Sequence, residues 1–246
     1  MIDLHAHILP GVDDGAETLE ESIQMCWISH QDGVGTIVAT PHILPGIYKN
    51  DRSSILSKLH ELQSAVRLDS EFRILAGADV HFSSDLVQRF ENQEIVTIND
   101  NGRALMVEFD YQSIPYHAEE VLFQLITRGI VPIITHPERN LEIARAPKRY
   151  FEMIQMGCLG QVTAMSLTGD FGSEARRAAE KLLSKRLIHV IASDAHSVNG
   201  RRPILSAGVK AAEKMVGKEE AIKMVTDYPE AIIKGRRPAV PEPLSP

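Results

Sequence analysis

Short apolar runs rich in β-branched residues alternate along this chain with longer stretches whose apolar residues recur at helical spacing. That rhythm predicts repeated βα units around a mostly parallel sheet. Seven runs are strand candidates: Met1 to His5, Thr36 to Thr40, Arg73 to Val80, Ala104 to Phe109, Val131 to Thr135, Cys158 to Val162 and Ile188 to Ser193. The helices between them carry start and stop signals. Thr18 with Glu21 has the spacing of a capping box, after which Leu19, Ile23, Cys26 and Trp27 make one apolar stripe that stops at Gly33. Asp51 caps a second helix, in which Ile55, Leu59, Leu62 and Val66 recur at helical spacing. Val121, Leu122 and Leu125 mark a third, ended by Gly129 where a C-terminal glycine is favoured.

No internal repeat or low-complexity block competes with this pattern. Seven strands with intervening helices suit an α/β fold built as a distorted (β/α)7 TIM-like barrel, although an open doubly wound sheet has a similar rhythm. Residues 1–235 are expected to form one domain, and the proline-rich residues 236–246 an extended tail dispensable for folding.

Composition narrows the function. With 246 residues and 43% apolar content the chain can bury a real core, and a formal charge of −7 argues against a nucleic-acid binder held by phosphate contacts. Small molecules or proteins are the expected partners. Cys26 and Cys158 belong to no paired spacing pattern, no signal peptide opens the chain, and no apolar run is long enough for a membrane span. A soluble cytoplasmic protein without membrane insertion is expected.

Nearly every apolar run ends in a histidine or a carboxylate. The endings are Asp3-Leu4-His5-Ala6-His7, Thr40-Pro41-His42, Gly77-Ala78-Asp79, Val107-Glu108, Thr135-His136-Pro137-Glu138-Arg139 and Ser193-Asp194-Ala195-His196. In a parallel barrel the C-terminal strand ends meet at one face, so these groups would converge. His5 and His7 are two apart, which turns both imidazoles to one side of a strand, and Asp194 and His196 repeat the spacing. One histidine at a strand end is more often a hydrogen-bonded structural residue than a ligand. Five separate strand ends acquiring ligand types by accident is a poorer explanation than a metal site. Imidazoles mixed with carboxylates suit manganese, iron or zinc, and two or three ions bridged by a carboxylate would use the set.

These segments resemble the polymerase-and-histidinol-phosphatase (PHP) superfamily. Within it, they resemble the bacterial manganese-dependent protein tyrosine phosphatases of capsule and exopolysaccharide operons. The likeness rests on the continuous run Ile2 to Ala16 (IDLHAHILPGVDDGA), Ala39-Thr40-Pro41-His42, Val107-Glu108-Phe109, His136-Pro137-Glu138-Arg139 and Ser193-Asp194-Ala195-His196, and spans almost the whole chain. The opening segment is its most specific part, because the wider superfamily usually shares only the HxH.

The resemblance implies a trinuclear site in a distorted barrel of the PHP type. His5, His7 and Asp194 would bind one ion, Glu108 and His136 a second, Asp14, His42 and His196 a third, with Asp79 bridging the first two. Relatives usually carry glutamate where Asp79 stands, so this bridge would reach about one methylene less far. On composition alone Asp13-Asp14-Gly15 is a turn whose side chains bond local backbone; only the resemblance makes Asp14 a ligand. Arg139 is placed to fork onto a phosphate, and Arg201 and Arg202 are further candidates for that role. His30, His60 and His189 read as structural or exposed. His81 shares a strand face with Asp79, with a structural role favoured over lining the substrate approach.

The leading expectation is a metal-dependent phosphomonoester hydrolase, manganese first and iron, zinc or magnesium as alternatives. Its substrate would be a phosphotyrosine-bearing protein, an autophosphorylating bacterial tyrosine kinase. A histidinol-phosphate or other small-molecule phosphatase, and a non-catalytic metal-binding scaffold, are the alternatives. A cysteine phosphatase needs an arginine six positions after its nucleophile, but Cys26 leads to Asp32 and Cys158 to Ala164.

Overall fold

The computed structural model describes residues 1–68 and 71–246. Its strands are β1 (Ile2–Ala6), β2 (Thr36–Ala39), β3 (His42–Ile43), β4 (Arg73–Ala76), β5 (Asp79–His81), β6 (Ala104–Glu108), β7 (Val131–Thr135), β8 (Leu159–Thr163) and β9 (Val190–Ala192). All pairings between them are parallel, in two sheets ordered β1-β2-β4 and β3-β5-β6-β7-β8-β9. Helices fill the connections, as parallel crossovers require.

The expected strand Arg73 to Val80 is two strands belonging to different sheets, and β3 is an extra short strand beyond the expected Thr36 to Thr40. Both differences have one cause. β2 and β4 pair with Thr36 opposite Arg73, and β3 and β5 resume the same offset with His42 opposite Asp79. The two neighbours therefore bend together from one sheet into the other, one at Pro41 and its partner at Gly77. A Cβ on Gly77 would stand 2.7 Å from Val38 Cγ1 and 3.0 Å from Thr40 Cγ2, so the bend needs a residue with no side chain. At the far side, Ala6 is bridged in parallel to Ala195, just beyond β9.

Residues from one face of the strands of both sheets, Leu4, Val38, Met106, Ile133, Leu159 and Val190, form a small separate cluster with Ile98, Ile232 and Ile233. The alternate residues, among them Ile37, Leu105, Ile134 and Ile191, join the main core beneath the helices. Each fully buried side chain of this size contributes about 2 kcal/mol by leaving water.

The helix starts depart from expectation in detail. Thr18 accepts the Glu21 N–H, but the Glu21 carboxylate accepts from Glu17 N–H rather than from the cap residue, so only half the capping box forms. In helix Leu19–Gln31 the buried face is Ser22, Met25, Cys26 and Ser29, while Trp27 is 49% exposed. The apolar stripe is turned from its expected position because small serines pack inward without marking the pattern. In helix Arg52–Ala65, Asp51 caps through Ser54 in a complete reciprocal box, and Ile55, Leu59 and Leu62 are buried. Gly129 follows helix Ala118–Thr127 with φ of +79°. In the tail, Pro238 is buried, Val240 packs on the core, and Leu244 N–H donates to Lys185 O. Among the described residues no helix is long and apolar enough to cross a membrane.

His189 is buried before β9 and accepts the Gly160 N–H at Nδ1 (3.0 Å). Burial, with the Arg237 guanidinium, holds its pKa down to about 4. The unfolded chain takes this proton near pH 6.5, so stability from the neutral ring is complete above that pH and is lost as pH falls toward 4. Between pH 7.5 and pH 5 the loss is about 2 kcal/mol. His189→Asn keeps an acceptor for Gly160 and should lose correspondingly less stability over that interval in urea unfolding. Parallel pH profiles for the two proteins would contradict this assignment.

Candidate metal centre

β1 runs into His5 and His7, β3 begins at His42, β5 carries Asp79, β6 ends at Glu108, and His136, Asp194 and His196 follow β7 and β9. His5, His7, Glu108, His136, Asp194 and His196 lie at or beyond the C-terminal ends of their strands, while His42 and Asp79 stand opposite each other where β3 and β5 begin after the bend, and the fold gathers all of them. His5 Nε2 lies 3.0 Å from His7 Nε2, 3.4 Å from Asp194 Oδ1 and 3.6 Å from Asp79 Oδ2. His136 Nε2 is 3.4 Å from Glu108 Oε1 and 3.9 Å from Asp79 Oδ2. His42 Nε2 and His196 Nε2 each stand 3.6 Å from Asp14 Oδ1. Contacts of His42 Nδ1 with Asp79 and Glu108 join these sets, so all nine candidate ligands are linked in one cluster.

Three donor groups interlock: His7, Asp14, His42 and His196; His5, His7 and Asp79; and His42, Asp79 and Glu108. These groups differ from the expected partition: His7 also stands with Asp14, His42 and His196, while Asp194 and His136 flank the three groups and belong to none of them. His42 Nδ1 is 3.5 Å from both Asp79 and Glu108, so this ring stands between two groups instead of serving only the one around Asp14.

Ring orientation is set by residues the sequence patterns do not reveal. Gln161, inside β8, accepts from His5 Nδ1 (2.9 Å), and Asp13 accepts from His7 Nδ1 (2.7 Å). His196 Nδ1 donates to Asp194 O at 2.9 Å. In each ring the second nitrogen is thereby turned toward the cluster. Asp13 also accepts the backbone N–H groups of His42 and Gly15, which binds the first loop to β3. Buried Asp3 accepts from the Ser193 N–H and hydroxyl and so joins β1 to the segment after β9. Burial pushes the Asp3 pKa up to about 6.

His136 (φ +32°) and Asp194 (φ +52°) occupy left-handed backbone. For a residue preceding proline, as His136 does, this costs on the order of 1 kcal/mol or more, and such strain collects where side-chain aim matters.

The electrostatics describe a site short of positive charge. Burial lowers His5 to about 3 and, with Arg139, His136 to about 4. Burial and the neighbouring His7 lower His42 and His196 as well. His7 alone moves the other way: burial opposes its protonation, but Asp13 and Asp194 outweigh it and raise the ring to about 10. Asp79 is raised by burial and by Glu108. Both Asp79 oxygens, His42 Nδ1 and His196 Nε2 are buried without a hydrogen-bond partner. Neutral imidazoles at His5, His42, His136 and His196 around unpartnered Asp79 oxygens fit divalent cations, which would satisfy these donors together and displace the His7 proton.

Asp194 separates two functions. Its Oδ1 faces His5, His7 and His196, while its Oδ2 receives Arg139 (2.7 Å), Arg201 (2.5 Å) and the Thr163 hydroxyl (3.4 Å). Phe171 carries both guanidinium groups on its ring, at 5.0 Å and 5.6 Å. Arg202 is exposed, and no contact among the described residues brings its side chain to the cluster. His81 stands beside the centre: its two ring nitrogens lie 3.7 Å from Glu108 and 3.4 Å from Asp110, and Glu108 raises its pKa. Tyr48, unmarked by any motif, stacks on His42 with ring centroids 5.7 Å apart. Cys26 and Cys158 are buried, and burial pushes both thiols up to about 12, which excludes a thiolate nucleophile at neutral pH.

Comparison with known proteins follows the same lines. Residues 1–234 match the family model described as capsular polysaccharide synthesis, CpsB/CapC. The chain is 32% identical to the tyrosine-protein phosphatase YwqE of Bacillus subtilis, over 96% of its own length and 92% of that protein's. It is 39% identical to CapC of Staphylococcus aureus over 82% of this chain and 79% of the relative. Its backbone superposes with a TM-score of 0.94, at 31% identity and covering 100% and 99% of the two chains, on a crystal structure from a study of YwqE and of CpsB from Streptococcus pneumoniae, described there as unique metal-dependent tyrosine phosphatases.

Proposed function

The chain belongs to the CpsB/CapC family of capsular polysaccharide synthesis proteins, and from that premise we propose that it is a metal-dependent tyrosine-protein phosphatase. Its proposed substrate is a phosphotyrosine-bearing protein of capsule or exopolysaccharide synthesis, an autophosphorylating bacterial tyrosine kinase in the cytoplasm. The observation that carries the reading is the meeting of three interlocking donor groups with two arginines at Asp194. Manganese is the proposed ion, since mixed imidazole and carboxylate donors without thiolates suit it. His5, His7, Asp14, His42, Asp79, Glu108, His136, Asp194 and His196 would hold two or three ions. The two sheets are read as arcs of one distorted (β/α)7 barrel over residues 1–235. Supporting that reading are the shared register across the bend, the Ala6–Ala195 bridge and the cluster of strand residues drawn from both sheets.

Divalent cations bound here supply charge neutralisation for a phosphoryl group and make water acidic enough to react near neutral pH. The chain's own residues do the rest. Gln161 and Asp13 accept from Nδ1 of His5 and His7 and so hold Nε2 of both rings toward the donor cluster. Arg139 and Arg201, steadied by Phe171 and Asp194, place guanidinium donors beside the donor cluster for the phosphoryl oxygens. A phenol with a pKa of about 10 departs more readily than an alkoxide, so the leaving group depends less on a general acid.

Purified protein with Mn²⁺ should hydrolyse phosphotyrosine peptides, lose turnover in chelator and regain it when Mn²⁺ is restored. Full activity after complete metal removal would reject the reading.

A further inference from the structure

Beside the metal centre, a groove of about 430 Å³ runs between helix Leu141–Arg145 and helix Gly172–Ser184. Arg145 lines it from the first helix, Arg177 and Lys181 from the second, where they stand one turn apart on the same face. Arg139 and Tyr111 line both this groove and a smaller recess that reaches Glu108 and His136. The groove thus shares a wall with the recess that borders the donor cluster.

Its charge is unusual for a chain of net −7. The ion pairs of the described residues engage Arg139, Arg149 and Arg176 but leave Arg145, Arg177 and Lys181 without a carboxylate partner. All three are exposed, and Glu174, also exposed, is the one acidic side chain that lines the groove at its surface. Glu138 lies at its base, buried and holding Ser166 and the Thr163 N–H. Tyr111, 63% exposed, adds an aromatic wall. Three unpaired cations gathered in one groove form a surface complementary to a run of negative charge, held in an extended segment whose phosphotyrosine occupies the adjoining site.

We infer that this groove is a specificity subsite for acidic residues flanking the phosphotyrosine of the substrate. The inference rests on the phosphatase reading for what occupies the metal centre, but its binding test is independent of turnover.

The test uses metal-loaded protein and peptides carrying phosphonomethyl-phenylalanine, a phosphotyrosine mimic that is not hydrolysed, with either acidic or neutral residues on both flanks. By fluorescence anisotropy at low salt, the acidic-flanked peptide should bind on the order of tenfold more tightly, as three exposed charge pairs of modest strength predict. The double variant Arg177→Glu/Lys181→Glu should bring that ratio to about one. Its hydrolysis of para-nitrophenyl phosphate, which is too small to reach the groove, should stay at the wild-type rate. Equal affinity of wild-type protein for the two peptides overturns the subsite, as does an acidic preference that survives the charge reversal. Absence of para-nitrophenyl phosphate turnover in wild-type protein would instead count against the phosphatase reading, with the affinity ratio still deciding the subsite.

Discussion

Asp79→Ala should lower kcat on a phosphotyrosine peptide by about a thousandfold or more, and elemental analysis should find fewer divalent ions per chain. Asp79 is fully buried and lies 3.5–3.9 Å from ring nitrogens of His5, His42 and His136, with no hydrogen bond to either carboxylate oxygen. Of the candidate ligands it belongs to two donor groups and is their shared carboxylate. Removing it takes one negative charge from both groups. A stabilisation of several kcal/mol, the usual magnitude for metal-assisted charge neutralisation, corresponds to this loss in rate. Asp79→Asn retains the shape and separates packing from ligation, so it should lose metal and turnover while its melting temperature in chelator stays close to wild type. Wild-type metal content and turnover in either variant would remove Asp79 from the centre of the mechanism.

Gly15→Ala should destabilise the protein by about 3 kcal/mol and reduce turnover about a hundredfold or more, although Gly15 holds no ligand atom. A Cβ there would stand 2.2 Å from the His7 carbonyl oxygen and 2.6 Å from His7 Cβ. A backbone carbonyl inside a hydrogen-bonded loop cannot swing aside: His7 O accepts from Ala16 N–H, and Gly15 N–H donates to Asp13. Relief of the clash therefore displaces His7 or detaches Asp13 from it. Gly35→Ala is the matched control, since nothing lies within 4 Å of its added carbon. It should melt within a few degrees of wild type. Similar melting temperatures and activities for Gly15→Ala and Gly35→Ala would show that the first loop tolerates the crowding.

Residues that break a local pattern were the ones legible in the sequence. His5, His7, His42, Asp79, Glu108, His136, Asp194 and His196 stand at the ends of apolar runs, where polar groups need a reason, and the fold brings them together. Their orienting partners break no pattern. Gln161 lies inside a strand whose five residues are all buried, and nothing in its neighbours marks it as the partner of a ring 156 positions away. Asp13 was hidden by a good turn sequence, which it also serves through Gly15. The bend at Gly77 was illegible because it depends on Val38 and Thr40 pressing against it from another strand. Trp27 points away from the buried face of its helix, and the serines that pack inward on that face carry no apolar signal.

The first and last parts of this centre are sewn directly to each other. Asp194 N–H donates to His5 O, His7 N–H donates to Ala195 O, and Ser193 donates to Asp3. During synthesis the histidines of the opening strand leave the ribosome almost two hundred codons before the residues that fix them, and contacts so distant in sequence form late. A site completed only by its last segment would take up ions after Asp194 has been made: before that, the imidazoles of the opening strand lack the backbone and the carboxylate that hold them in place.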